Sequence, residues 1–118
     1  MPNPVVKWQI VSRNPDEVAD FYASVFEWKV DRTNALGYRE VRSGAPGGID
    51  GGIWPRGEEG QDLLQLFIQV EDVEATIQRA VGKGAKVIVP KSTLPDGDQM
   101  AILVDPTGMT FGLVRSAG

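Results

Sequence analysis

The sequence predicts an α+β domain built of two tandem β-α-β-β-β modules, about residues 4–57 and 61–116. The first observation behind this is an internal repeat. VVKWQIVSRNPDEVADFYASVFEWKV (5–30) and LLQLFIQVEDVEATIQRAVGKGAKVI (63–88) share one pattern, with Lys7 over Gln65, Ile10 over Ile68 and Asn14 over Asp72. After a slip of one residue, Trp28-Lys29-Val30 lies over Ala85-Lys86-Val87. Such self-similarity marks a duplicated supersecondary unit. The second observation is that each half opens on an alternating strand, continues into a helix and closes on shorter strands. Helices outside antiparallel-rich sheets follow from that order.

The elements are justified in turn. In Val6-Lys7-Trp8-Gln9-Ile10 the apolar and polar residues alternate, which is strand periodicity. Asn14 suits an N-cap, Pro15 the first helical position, and Glu17 the reciprocal place in a capping box. Val18, Phe21, Tyr22, Val25 and Phe26 then fall on one helical face, which is expected to be buried. Short strands follow at Lys29–Asp31, Tyr38–Val41 and Ile53-Trp54. In the second half Leu64, Leu66 and Ile68 oppose Gln65, Phe67 and Gln69. A helix begins at Asp72, buries Val73, Ile77, Ala80 and Val81, and stops near Gly84. Strands at Lys86–Val89, Met100–Val104 and Thr110–Arg115 complete the module. Trp8 is expected beneath the first helix and Trp28 at its end. Lys7, Gln9, Gln65 and Gln69 make the helix-free faces too polar for a second core and imply a wet concavity.

Composition narrows the chemistry. With 42% apolar and 24% charged residues the 118-residue chain is globular. A net charge of −4 offers no basic stripe for nucleic acid. No apolar run reaches membrane-spanning length and the N-terminus lacks a signal-peptide core, so a cytoplasmic protein is expected. Cysteine is absent, which removes disulfides and thiolate chemistry. Histidine is absent too, which excludes His-based triads and leaves a zinc site without its usual ligands.

Asn14-Pro15, Phe21-Tyr22, Val70-Glu71-Asp72-Val73 and the closing DPTGMTFGLV (105–114) resemble the vicinal oxygen chelate superfamily of glyoxalases, bleomycin-resistance proteins and extradiol dioxygenases. The ending is similar to that family's DPxGxxxEL. The resemblance implies metal ligands on the first strand of each module and on the last strand. Those positions hold Lys7, Gln65 and Gly112 here, and a fourth falls near Gly51–Ile53, close to Asp50. A protonated lysine and a glycine donate nothing to a metal. The resemblance therefore implies a metal-free, bleomycin-resistance-like member without cofactor. It would work as a homodimer and hold an aromatic or amphipathic small molecule by sequestration.

The candidate ligand-binding residues are Lys7, Gln9, Trp54, Gln65, Phe67, Gln69 and Gly112. Lys7 reads as an anion-holding or acid/base group, or as a solvated strand lysine. The glutamines orient a polar ligand or merely keep a sheet face wet. Trp54, after Gly51-Gly52, reads as a stacking surface or a dimer anchor. Phe67 reads as an apolar wall, and PKSTLPDGDQM (90–100) as a lid or a hairpin connection. Glu71, Asp72 and Asp16 read as caps and solvated charges. The alternative function is a metal-independent isomerase, epimerase or lyase in which Lys7 is the acid/base, with Glu40 or Asp50 beside it.

Overall fold

A computed structural model describes residues 2–33 and 37–118. The element order is β1 (Val5–Ser12), α1 (Pro15–Phe26), β2 (Lys29–Asp31), β3 (Arg39–Arg42), β4 (Gly51–Pro55), β5 (Leu63–Gln69), α2 (Val73–Gly82), β6 (Lys86–Thr93), β7 (Gln99–Val104) and β8 (Thr110–Arg115). This is the α+β, twice-repeated β-α-β-β-β order that the sequence predicts. The chain forms two compact units, residues 7–65 and residues 1–6 with 66–118. No helix among the described residues is long and apolar enough to cross a membrane.

In the 7–65 unit the strands run in the order β2-β3-β4-β1, with β1 and β4 parallel and the other pairs antiparallel. Its core is Ala19, Val41 and Ile53, packed against Trp8, Ile10, Val18, Trp28 and Val30. Trp8 takes its expected place under α1 and donates its indole N–H to the Ile49 carbonyl, 2.9 Å away. The buried face of α1 differs from the expectation. Ala19 is fully buried, whereas Phe21, Val25 and Phe26 are more than half exposed. The helix seats on an alanine, which brings its backbone close to the sheet, while apolar spacing picks out the largest side chains. Tyr22 still turns inward and stacks on Trp28, with centroids 5.2 Å apart and planes 8° from parallel. Asn14 makes no side-chain cap bond; its own N–H donates to Ser12 Oγ instead. Asp16 is more than a solvated charge, since it pairs with Arg39 at 3.1 Å and Arg32 at 3.4 Å.

In the other unit the order is β5-β8-β7-β6, again with one parallel pair, β5 and β8. Asp72 caps α2 by accepting the Ala75 N–H at 3.0 Å. Val73 and Ile77 are buried with Val70, Ala85, Ala101, Leu103 and Leu113. Val81, expected inside, is 46% exposed. Residues 90–100 form no lid: β6 runs to Thr93, and the Leu94 N–H donates to the Asp98 carbonyl to close a β6–β7 hairpin.

The DPTG turn is held by one carboxylate. Asp105 Oδ1 accepts from Thr107 N–H and Oγ1 at 2.8 Å and from Met109 N–H at 3.1 Å, and Gly108 takes the positive φ of 104° that the turn demands. The Thr107 hydroxyl bond, followed by the backbone donors, holds the Asp105 carboxyl below its ordinary value of 3.8. A depressed folded-state pKa adds stability that is present above the unfolded value and lost as pH falls through the folded one. Asp105→Asn is therefore expected to flatten the acid limb of a stability-versus-pH curve below about pH 4. Coincident acid limbs for the two proteins would reject this.

Candidate ligand-binding site

Strand register sorts the side chains of the 7–65 unit. Gln9 lies opposite Gly52, Val11 opposite Trp54, and Glu40 opposite Gly52. By alternation Lys7, Gln9, Val11, Glu40, Gly52 and Trp54 share the face away from α1, whereas Trp8, Ile10, Val41, Gly51 and Ile53 share the face toward it. Tyr38, two residues before Glu40, extends the first set.

These residues meet. Gln9 Nε2 donates to Gln65 Oε1 at 3.2 Å, and both side chains are buried. The Lys7 ammonium stands 5.4 Å from the centre of the Tyr38 ring, within cation–π reach. Tyr38 and Trp54 have centroids 4.8 Å apart and planes tilted by 34°. Burial first, and the Glu40 carboxylate second, push the Tyr38 phenol up to about 12. It therefore stays protonated and neutral at physiological pH, able to donate a hydrogen bond. Together the side chains form a half-buried aromatic surface with the Lys7 cation, the Glu40 carboxylate and a buried amide pair.

Tyr38 is the residue that sequence reading missed. The signal was Gly51-Gly52. Those adjacent glycines point to opposite faces, and each lies under an aromatic ring. A β-carbon on Gly51 would come under 3.0 Å from the Trp8 indole, and one on Gly52 under 3.0 Å from the Tyr38 ring. Gly52→Ala is expected to push Tyr38 off the sheet and to cost about 1–3 kcal/mol, as overpacking does. Unaltered Tyr38 ring resonances in an NMR spectrum of the variant would contradict it.

The other expected site residues lie in the second unit, where two corrections arise. Phe67 faces away from α2 as expected, but it is 1% exposed and forms a core with Ile102 and Val114, backed by Val6, Val89 and Met100. It is not the wall of a wet concavity. On that face β5 supplies the polar glutamines, whereas β6, β7 and β8 supply apolar side chains. Gly112 pairs with Phe67, and a β-carbon there would fall under 3.0 Å from Phe67 Cε1, Cδ1 and Cζ. The ring thus fills the space that a side chain at 112 would need. Gln69 is exposed at the end of β5, where its N–H donates to the Pro4 carbonyl and its carbonyl accepts from Asn3 Nδ2.

Residue by residue, a metal does not fit the positions that the resemblance implies. Lys7 is an ammonium against an aromatic ring, Gln65 Oε1 already accepts from Gln9, and Gly112 has no donor and a phenyl ring above it. Among the described residues no group of three or more His, Cys, Asp or Glu comes together.

Comparison with known proteins agrees with this architecture. Residues 8–114 match the family model described as a glyoxalase-like domain. The chain is 30% identical over 106 residues to the candidate glyoxylase CFP32 of Mycobacterium tuberculosis and to that of Mycobacterium bovis, covering 79% of this chain and 38% of each relative. It thus spans less than half the length of these curated relatives. Among solved structures it is similar to hypothetical protein BH1468 from Bacillus halodurans C-125, with TM-score 0.72, 17% identity, and coverage of 100% of this chain and 97% of that one. It is also similar to methylmalonyl-CoA epimerase from Mycobacterium tuberculosis, with TM-score 0.67, 16% identity, and coverage of 97% and 88%. At such identities the structural likeness is one of fold.

Proposed function

Because the chain belongs to the glyoxalase-like domain family, we propose that it holds a small, flat, amphipathic molecule on the helix-free face of its 7–65 unit, without a metal. The observation that carries this is the grouping of Lys7, Tyr38 and Trp54 beside the Gln9–Gln65 amide pair. An aromatic ligand stacks on Trp54 or Tyr38, a contact worth about 0.5–1.5 kcal/mol beyond area burial. Lys7 attracts a carboxylate or other acceptor, and the neutral Tyr38 phenol donates to a polar substituent. Supporting groups that are already fixed by their own contacts lower the cost of binding. Sequestration needs no bond made or broken.

The alternative, proton transfer by Lys7, needs a partner base. Glu40 Oε1 lies 2.9 Å from Arg42 Nη2, and Asp50 Oδ1 accepts the Ser43 N–H at 3.1 Å. Each carboxylate is already held by a neighbouring group, which supports holding over turnover. The epimerase activity named for the structural neighbour is that protein's own.

Fluorescence titration with 8-anilinonaphthalene-1-sulfonate, a flat aromatic anion, tests the reading. Saturable binding is expected, weakened about tenfold in Lys7→Met and in Trp54→Ala, the loss of roughly one charged hydrogen bond or stacking contact. Undiminished binding in both variants would overturn it. We further propose that the protein works as a cytoplasmic homodimer. Native mass spectrometry of protein from its own host is expected to show twice the chain mass with a bound small molecule. A compound found together with its altered product would favour catalysis instead.

A further inference from the structure

A cleft of about 860 Å³ lies wholly within the unit formed by residues 1–6 and 66–118. That volume suits a small molecule rather than a bare ion. Its lining includes Asn3, Gln69, Glu71, Asp72, Arg79 and Arg115. Local hydrogen bonds build it. The Val70 N–H donates to the Val114 carbonyl at 2.9 Å, which ties the turn carrying Glu71 and Asp72 to the end of β8, where Arg115 follows. The Gln69 N–H donates to Pro4 O at 2.9 Å, and Asn3 Nδ2 donates to Gln69 O at 3.1 Å. These two bonds pin the proline-flanked N-terminal segment as the facing wall.

The arginines are distributed unevenly. In the 7–65 unit four of the five arginines, Arg32, Arg39, Arg42 and Arg56, pair with a carboxylate among the described residues, and Arg13 does not. The other unit has just two arginines, Arg79 and Arg115, and both line this cleft. Neither forms an ion pair or a side-chain hydrogen bond among the described residues. The two guanidinium groups share the lining with two carboxylates, of which Asp72 is turned to capping α2, accepting the Ala75 N–H, and Glu71 makes no hydrogen bond among the described residues. Guanidinium forks match the planar or tetrahedral oxygens of carboxylates and phosphates.

We propose that this cleft is a binding site for the oxyanion group of a small organic acid or phosphate ester, held by Arg79 and Arg115. It is separate from the aromatic face described above. The Asn3 and Gln69 amides border the remainder of the ligand. Glu71 opposes the most highly charged anions and accepts a donor group of the bound molecule.

NMR titration at low salt with inorganic phosphate and, separately, with succinate tests the site, with sodium chloride as the ionic-strength control. Saturable shifts are expected at Asn3, Gln69–Asp72, Arg79 and Arg115, with the tighter ligand identifying phosphate or carboxylate as the preferred group. Arg79→Gln and Arg115→Gln should each weaken binding about tenfold, and Glu71→Gln should tighten it. Both arginines are exposed, so the melting temperatures should be unchanged. Shifts that sodium chloride reproduces, or binding that both arginine substitutions leave intact, would overturn the proposal.

Discussion

Phe67→Ala is expected to destabilise the protein by about 3–5 kcal/mol, the usual range for emptying a buried phenylalanine site. The ring is 1% exposed and touches a core drawn from Ile102 and Val114, with Val6, Val89 and Met100 around it. The site relaxes poorly because those neighbours sit on hydrogen-bonded strands that cannot close over the void. Phe21→Ala should cost much less, since Phe21 is 55% exposed on α1 and has one edge-on contact with Tyr22 at 5.0 Å. Urea unfolding of the two variants separates these cases by their midpoints at equal slope. If Phe21→Ala proved the costlier change, the assignment of both sheet faces would fail.

Gly112→Glu, which returns a carboxylate to the position that the closing motif implies, should cost at least about 3 kcal/mol. One part is steric, because the new β-carbon meets the Phe67 ring, and overpacking of this kind costs about 1–3 kcal/mol. The other part is a charge placed among Phe67, Ile102 and Val114 without a partner, which costs several kcal/mol more or forces the carboxyl to stay protonated. A double-mutant cycle isolates the steric part. Gly112→Ala combined with Phe67→Ala should be less damaging than the two single costs together, with a coupling of about 0.5–3 kcal/mol. Strict additivity would mean that the Phe67 ring is not what Gly112 accommodates.

Much of the architecture was legible in the chain itself. The repeat, the two alternating first strands, the Asp72 cap and the DPTG turn are local patterns, and local hydrogen bonding and periodicity are enough to specify them. Absence of histidine and cysteine, with lysine and glycine at the implied ligand positions, was equally readable and bears directly on metal chemistry. Facing was legible where local periodicity decides it, as at Trp8 on β1 and at Val73 and Ile77 on α2, whereas Gln9, expected on a wet face, is buried.

Tertiary structure decided the rest. Whether the helix-free face behind β5 is wet or dry depends on Val89, Met100, Ile102 and Val114, which come from three strands distant in sequence. Whether α1 buries Phe21 or Ala19 depends on how closely its backbone approaches the sheet, which spacing along one helix does not encode. Tyr38 joins the candidate site because strand register sets it over Gly52, a relation that exists only once β3 and β4 have paired. Local order follows from neighbouring residues; the chemistry of each face follows from which strands are brought side by side.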